Sequence, residues 1–284
     1  MSSEILFPSL EGFEPTRQTL QLYSRVISAV PRAFGEFHHK WWHVSLRVQS
    51  DGLLTDKVSL PDGRELCLKM DLVDHSIIML VDDHVKETFS MLAGRSSTLL
   101  ADDVLDVAAR LGLEGEVDRN RFENDEPREY DRAQAGTFLT ALVNADRIFK
   151  AHRSTLSGEV GPVQFWPHGF DLAFEWFGTR VEEYEEEGKV RRIPAQLNLG
   201  FYPGSPGVAP YFYSNPWPFE RVALLGRALP EGASWHTEGW QGVYLPYETL
   251  MEEEGAEERL LAFAARVFEV SAPTLSQEWE AGPG

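Results

Sequence analysis

The chain has 284 residues, 43% of them apolar, enough to bury the core of one large domain or of two ordinary ones. Its 26 Lys and Arg stand against 45 Asp and Glu, and the formal charge of -19 repels a phosphate backbone over most of the surface, which excludes nucleic acid as an expected partner. One cysteine, Cys67, excludes an intrachain disulfide, no apolar run approaches membrane-spanning length, and the start Met1-Ser2-Ser3-Glu4 has no basic region followed by an apolar run; a cytoplasmic protein with no membrane partner is expected, its oligomeric state open.

In chain order, a helix opens at Pro15 or Thr16, its stripe Leu20, Tyr23, Val26, Ile27 and Val30, and Pro31 should end it. Phe37 to Val48 reads as a strand with Trp42, Val44, Leu46 and Val48 on one face and Trp41, His43, Ser45 and Arg47 on the other. Here His38, His39 and His43 cluster, with a surface role favoured for the first two. Further strands are expected over 53–60, 65–73, 76–81 and 85–91, punctuated by Asp51-Gly52, Pro61-Asp62-Gly63 and Asp82-Asp83 as in an antiparallel meander. Alternation places Cys67 on the more polar face of its strand, partly exposed, and a structural thiol is preferred to a nucleophile because no histidine lies near it. A helix from Ser97 to Leu111 closes this half, with Gly112 as its stop.

Residues 114–130 are polar and aperiodic, a connecting loop. The plan then recurs: a helix over 131–152 bearing Phe138, Leu142, Ala145 and Phe149; strands over 163–177, 195–201, 211–215 and 235–245; and a helix over 257–268. Acidic runs at 182–187 and 252–258 read as solvated loops or helix starts. The expected class is α+β, in two similar halves of antiparallel meander flanked by helices, for which an internal duplication is one explanation. The expected divisions are 1–113, the loop 114–130, 131–270 carrying a pocket, and a flexible tail 271–284.

Chemistry concentrates in the second half, where five of the eight tryptophans fall between 166 and 240. Buried rings are ordinary core material, but Pro and Gly beside these favour loops and strand ends, where pockets open. In Trp235-His236-Thr237-Glu238-Gly239-Trp240-Gln241-Gly242 the imidazole and the carboxylate stand two apart, so a strand points both to one face; Trp235 and Trp240, five apart, fall on opposite faces unless Gly239 bulges the chain. His236 and Glu238 are the expected acid–base pair, since aromatic walls and a neighbouring imidazolium act on a carboxylate in opposite directions. Trp166, Tyr202, Tyr213, Trp235 and Trp240 are the expected wall. His168 and Asp171 joined to His236 and Glu238 would make a mixed nitrogen and oxygen set for a divalent metal, zinc or iron, with open coordination. No H-E-x-x-H, Walker, G-x-G-x-x-G or G-x-S-x-G motif is present, which lowers nucleotide enzymes and serine hydrolases together.

Several of these stretches carry a family likeness: Trp41-Trp42-His43-Val44-Ser45-Leu46, Ala145-Asp146-Arg147-Ile148-Phe149-Lys150, Val163-Gln164-Phe165-Trp166 through Phe170-Asp171-Leu172-Ala173, Gly200-Phe201-Tyr202-Pro203-Gly204, Tyr211-Phe212-Tyr213, and the Trp-His-Thr-Glu-Gly-Trp string. Spread from about 37 to 250, they make the chain resemble the bacterial family catalogued as domain of unknown function 5996 over nearly its full length. The resemblance implies no activity and no catalytic residues. The functional expectation therefore rests on the residues: an aromatic-lined small-molecule pocket, in a metal-dependent enzyme using His, Glu and Asp, in a non-catalytic binding module, or in a protein whose exposed rings serve self-association or a partner.

Overall fold

The computed structural model describes residues 5–92, 94–186 and 188–279. In chain order these form α1 (Glu14–Phe34), β1 (Leu46–Gln49), β2 (Gly52–Thr55), β3 (Val58–Ser59), β4 (Glu65–Asp71), β5 (Ser76–Val81), β6 (His84–Ser90), α2 (Ser97–Arg110), α3 (Arg132–Arg153), β7 (Glu159–Val160), β8 (Gln164–Trp166), β9 (Asp171–Glu186), β10 (Lys189–Tyr202), β11 (Tyr211–Ser214), β12 (Pro216–Trp217), α4 (Arg221–Leu224), β13 (Ser234–His236), β14 (Gly242–Pro246) and α5 (Ala256–Ser271). All strand pairing is antiparallel, and the class is α+β as expected. Among the described residues no helix is long and apolar enough to cross a membrane.

The chain divides into two compact units, and neither is contiguous in sequence. The first takes residues 10–143 and 164–171. Its strands lie in the order β8-β1-β2-β4-β5-β6, with β3 beside β4. Alternate residues of β5 bury Ile77, Met79 and Val81, as a period of two requires, while β6 is exposed except at Phe89. Lys86 and Glu87 and a bulge opposite Met79 and Leu80 guard that outer edge. The apolar stripe of α1 is buried as read, and α1 packs on α2, whose Ser96 cap accepts from the Leu99 N–H at 3.1 Å. Phe13 stacks on Phe138 at 4.8 Å, Phe138 on Phe170 at 5.4 Å, and Phe165 meets Phe170 edge-on at 5.0 Å. Burying each such ring contributes about 1.5–3 kcal/mol, and this chain of rings is why the 164–171 segment belongs to this unit.

The second unit takes residues 1–9, 144–163 and 172–284, with strand order β13-β14-β11-β10-β9, β12 beside β10 and β7 beside β9. Its strand order therefore does not repeat that of the first. Alternation makes its two sheet faces different. Phe201 and Phe212 stack at 5.1 Å on the buried face, where Phe212 also meets Tyr247 at 5.9 Å and Phe7 edge-on at 5.2 Å. The intervening residues Tyr202, Tyr211, Tyr213 and Tyr244 are half-buried on the opposite face, and that tyrosine face positions the site.

Several expectations are corrected. Pro31 lies inside α1, in its last turn, where it forfeits one backbone bond and the chain continues to Gly35, whose N–H reaches the Pro31 carbonyl at 2.9 Å. Residues 37–45 are not strand, because Trp41 sits at φ 60° and opens a short 3-10 turn over Trp42–Val44. Cys67 is buried at 3% exposure, since β4 is an interior strand flanked by β2 and β5, and burial pushes its thiol up. The 163–177 strand is broken by a turn in which the Phe170 N–H reaches the Trp166 carbonyl, with Phe170 at φ 57°. The acidic run at 182–186 is neither loop nor helix start but the arm of β9, where Glu183 faces Arg192 across the ladder and pairs with it at 2.7 Å. Within 114–130, Phe122 is fully buried and its carbonyl accepts from the Ser97 hydroxyl at 2.5 Å. The tail expected from 271 is helical to Leu275, with Thr274 and Leu275 buried; its last residues, 280–284, lie outside the described residues.

Candidate functional site

The tyrosine face of the second unit leads to a hollow of about 550 Å³ lined by Tyr211, His236, Glu238, Trp240, Tyr244, Pro246 and Glu248 and by residues 207–210. Backbone register builds it. Tyr213 pairs with Tyr244, Tyr211 with Pro246, and His236 with Gly242, so β11, β14 and β13 present their side chains to one face in step. The expected strand over 235–245 is in fact a hairpin, β13 and β14 joined by residues 237–241, with Gly239 at φ 82° supplying the left-handed residue of the turn. The turn folds Trp240 back over the sheet: its ring lies 4.4 Å from that of His236, parallel to Tyr211 at 6.1 Å, and against Tyr213 at 6.4 Å. Tyr244 meets the His236 ring edge-on at 5.8 Å.

Close backbone approach holds this arrangement. A Cβ on Gly200 would stand 2.2 Å from Tyr213 Cζ, and one on Gly242 would stand 2.3 Å from the Ser214 carbonyl and 2.8 Å from Trp240 Cζ3. Both glycines give the rings room to lie flat. The Asn215 amide donates to the Gln241 carbonyl at 2.9 Å and ties the turn to the end of β11. Opposite, Ser205 and Val208 exchange backbone hydrogen bonds at 3.0 and 2.8 Å, closing the small turn that forms the far wall. His236 and Trp240 are half-buried and Glu238 and Glu248 are exposed, so the rings form the floor and the carboxylates the rim.

Of the expected site residues, His236, Glu238 and Trp240 line this hollow. Tyr213 and Tyr202 stand behind Tyr211, at 5.9 and 5.3 Å, and support it from outside the lining. Trp235 is on the other face because it alternates with His236 along β13, pairing with Val243 rather than Gly242, and not because of its spacing from Trp240, which lies in the turn: its indole N–H donates to the Arg227 carbonyl at 3.0 Å and its ring meets Phe219. Trp166, His168 and Asp171 belong to the first unit, where the Trp166 and His168 rings meet edge-on at 5.8 Å. Among the described residues no three His, Cys, Asp or Glu come together as a metal-holding group, so the four-ligand set is not assembled. His168 instead shares a hollow with Arg25, Arg32 and Arg121, where neighbouring guanidiniums oppose a cation. The other histidine cluster is a local one: His43 is buried, its Nδ1 accepts from the His38 N–H at 3.3 Å, and His38 stacks on Trp42 at 4.4 Å.

The family model described as a family of unknown function, DUF5996, matches residues 7–282. The chain belongs to DUF5996. No curated protein and no solved structure matches it. The site of this DUF5996 chain includes residues that sequence spacing alone does not single out. Tyr211 and Tyr244 are lining residues whose signal was the period of two that they share with Tyr213 and with Pro246. Pro210 and Glu248 reach the hollow from outside the strands, and no local spacing marks them.

Proposed function

We propose that this DUF5996 protein binds a small organic molecule in the hollow beside Trp240, and that the ligand pairs a flat ring with a basic nitrogen. One observation carries the reading: three aromatic rings, those of Tyr211, Trp240 and Tyr244, converge on one hollow whose rim carries the carboxylates of Glu238 and Glu248. Ring faces receive a flat apolar body, and they attract a cation by about 0.5–2 kcal/mol. The carboxylates add the long-range attraction, in a chain whose net charge of -19 already draws cations. A cytoplasmic setting belongs to the same reading, supported by an unpaired, buried Cys67; recovery of the protein outside the cytoplasmic fraction would sink that part of it.

Isothermal titration calorimetry tests the proposal. Tryptamine is expected to give saturable binding that Trp240→Ala weakens by about tenfold, equivalent to about 1.4 kcal/mol. Glu238→Gln should weaken tryptamine but leave a neutral indole analogue unaffected. Absence of saturation by any ring-bearing amine, or an unchanged affinity in Trp240→Ala, overturns the reading.

A second reading has His236 and Glu238 act as acid and base on the bound molecule, supported by their both lining the hollow. It requires turnover detectable by mass spectrometry that His236→Gln abolishes while binding persists. The metal-assisted form of this reading further requires zinc, iron or manganese to bind untagged protein; no bound ion and no affinity on titration would remove it.

A further inference from the structure

The first unit contains a separate hollow, of about 190 Å³, lined by Arg25, Ser28, Ala29, Arg32, Val44, Arg121, Pro167 and His168. Three guanidiniums face it in a protein with a strong acidic excess. Arg25 is fixed in place by backbone carbonyls: it donates to Pro167 at 3.1 Å, to His168 at 2.8 Å and to Arg121 at 3.3 Å, none of which carries a neutralising charge. Arg121 is paired with Asp118 at 2.9 Å. Arg32 lies over the Trp41 ring at 5.3 Å, and among the described residues its guanidinium has neither a hydrogen bond nor an ion pair. Ser28, 4% exposed, likewise has no side-chain hydrogen bond among the described residues, although its residue borders the hollow.

The charges are unbalanced. Three guanidiniums less the Asp118 carboxylate leave two positive charges around one small space. Burial first, then neighbouring arginines, push the Arg25 and Arg32 guanidiniums down, with Asp118 opposing the shift at Arg32. A bound anion would relieve this repulsion and take up the free donors of Arg32 and Ser28, and guanidinium forks match tetrahedral oxyanions in both charge and shape.

We propose that the hollow formed by Arg25, Arg32, Arg121, Ser28 and His168 binds a phosphate dianion, either inorganic phosphate or the phosphate group of a small monoester. Two net positive charges match a dianion, and the cavity is too small for a nucleotide. The site does not depend on the Trp240 hollow, and the two can stand or fall separately.

Calorimetric titration of the full chain with inorganic phosphate, and separately with phenyl phosphate, tests it at ionic strength held constant with sodium chloride. Saturable one-to-one binding is expected. Arg32→Gln should weaken it by about tenfold, while Trp240→Ala leaves it unchanged. Equal affinity for the two probes assigns free phosphate, and tighter binding of phenyl phosphate assigns a monoester. No saturable heat up to about 10 mM phosphate, the weak end of specific affinities, overturns the proposal. So does phosphate affinity equal in wild type and Arg32→Gln, or binding of succinate in preference to phosphate. The exposed Arg121→Gln serves as a second variant if Arg32→Gln does not fold.

Discussion

His152 lies at 7% exposure between the rings of Phe174 and Phe268, each 6.3 Å away, and burial alone holds its imidazole below the ordinary histidine range. His43 and His75 are lowered too, first by burial and then by nearby positive charge. A histidine lowered in the fold binds its proton more readily in the unfolded chain, so its contribution to stability is complete above the unfolded value of about 6.5 and is lost as pH falls below it. Denaturant unfolding should therefore give a lower free energy at pH 5.5 than at pH 7.5, and His152→Leu should flatten part of that slope; equal values at both pH values would show that these rings are not buried neutral. At the hollow, Gly200→Ala must push the Tyr213 ring aside, which should cost about 1–3 kcal/mol and weaken any ligand that depends on the Tyr211 and Trp240 rings. Spacing within one short string sufficed to find His236, Glu238 and Trp240, because a tight hairpin keeps sequence neighbours together. Nothing near His168 in sequence announced Arg25, Arg32 and Arg121, which reach it from far along the chain, and so its expected company was wrong.

Elements with a long, clean period were readable. The stripes of α2, α3 and α5 and the alternation of β5 gave their spans to within a few residues, because burial of one face repeats at the helical or strand period. Breaks that rest on one backbone angle were not. Trp41 at φ 60° and Phe170 at φ 57° interrupt what alternation alone continues, and neither residue type signals a left-handed turn. The tail after α5 is a similar case: too short for a period, its 3-10 turn is held by burial of Leu275 and by the Thr274 hydroxyl, which donates to the Ser271 carbonyl at 2.7 Å. Its backbone lies so close to β9 that a Cβ on Gly178 would stand 2.2 Å from the Leu275 carbonyl. Leu275→Ala should therefore destabilise by about 2–4 kcal/mol, measured by urea unfolding. A Leu275→Ala variant with wild-type stability would mean the turn does not pack in solution.

At the scale of the whole chain, the expected boundary at 113 falls just after α2, but the first unit also takes in residues to 143 and the 164–171 segment. Sequence order hides this, since a segment distant along the chain supplies rings and a strand that the earlier residues need. Phe13 has its stacking partner in Phe138, and Leu46 of β1 has its ladder partner in Phe165 of β8. A fragment ending at 113 exposes Phe13 and leaves the outer side of β1 unpaired, losing burial worth about 1.5–3 kcal/mol for each ring removed. Domain stabilities of about 5–15 kcal/mol leave little margin for the loss of Phe138, Phe165 and Phe170 together. Residues 10–113 expressed alone should accordingly show no cooperative thermal transition by circular dichroism, while 10–171 should recover one. A sharp transition in the shorter fragment, at a temperature close to that of the longer, would show that the meander and its two helices suffice and that the rings of 138–170 are accessory.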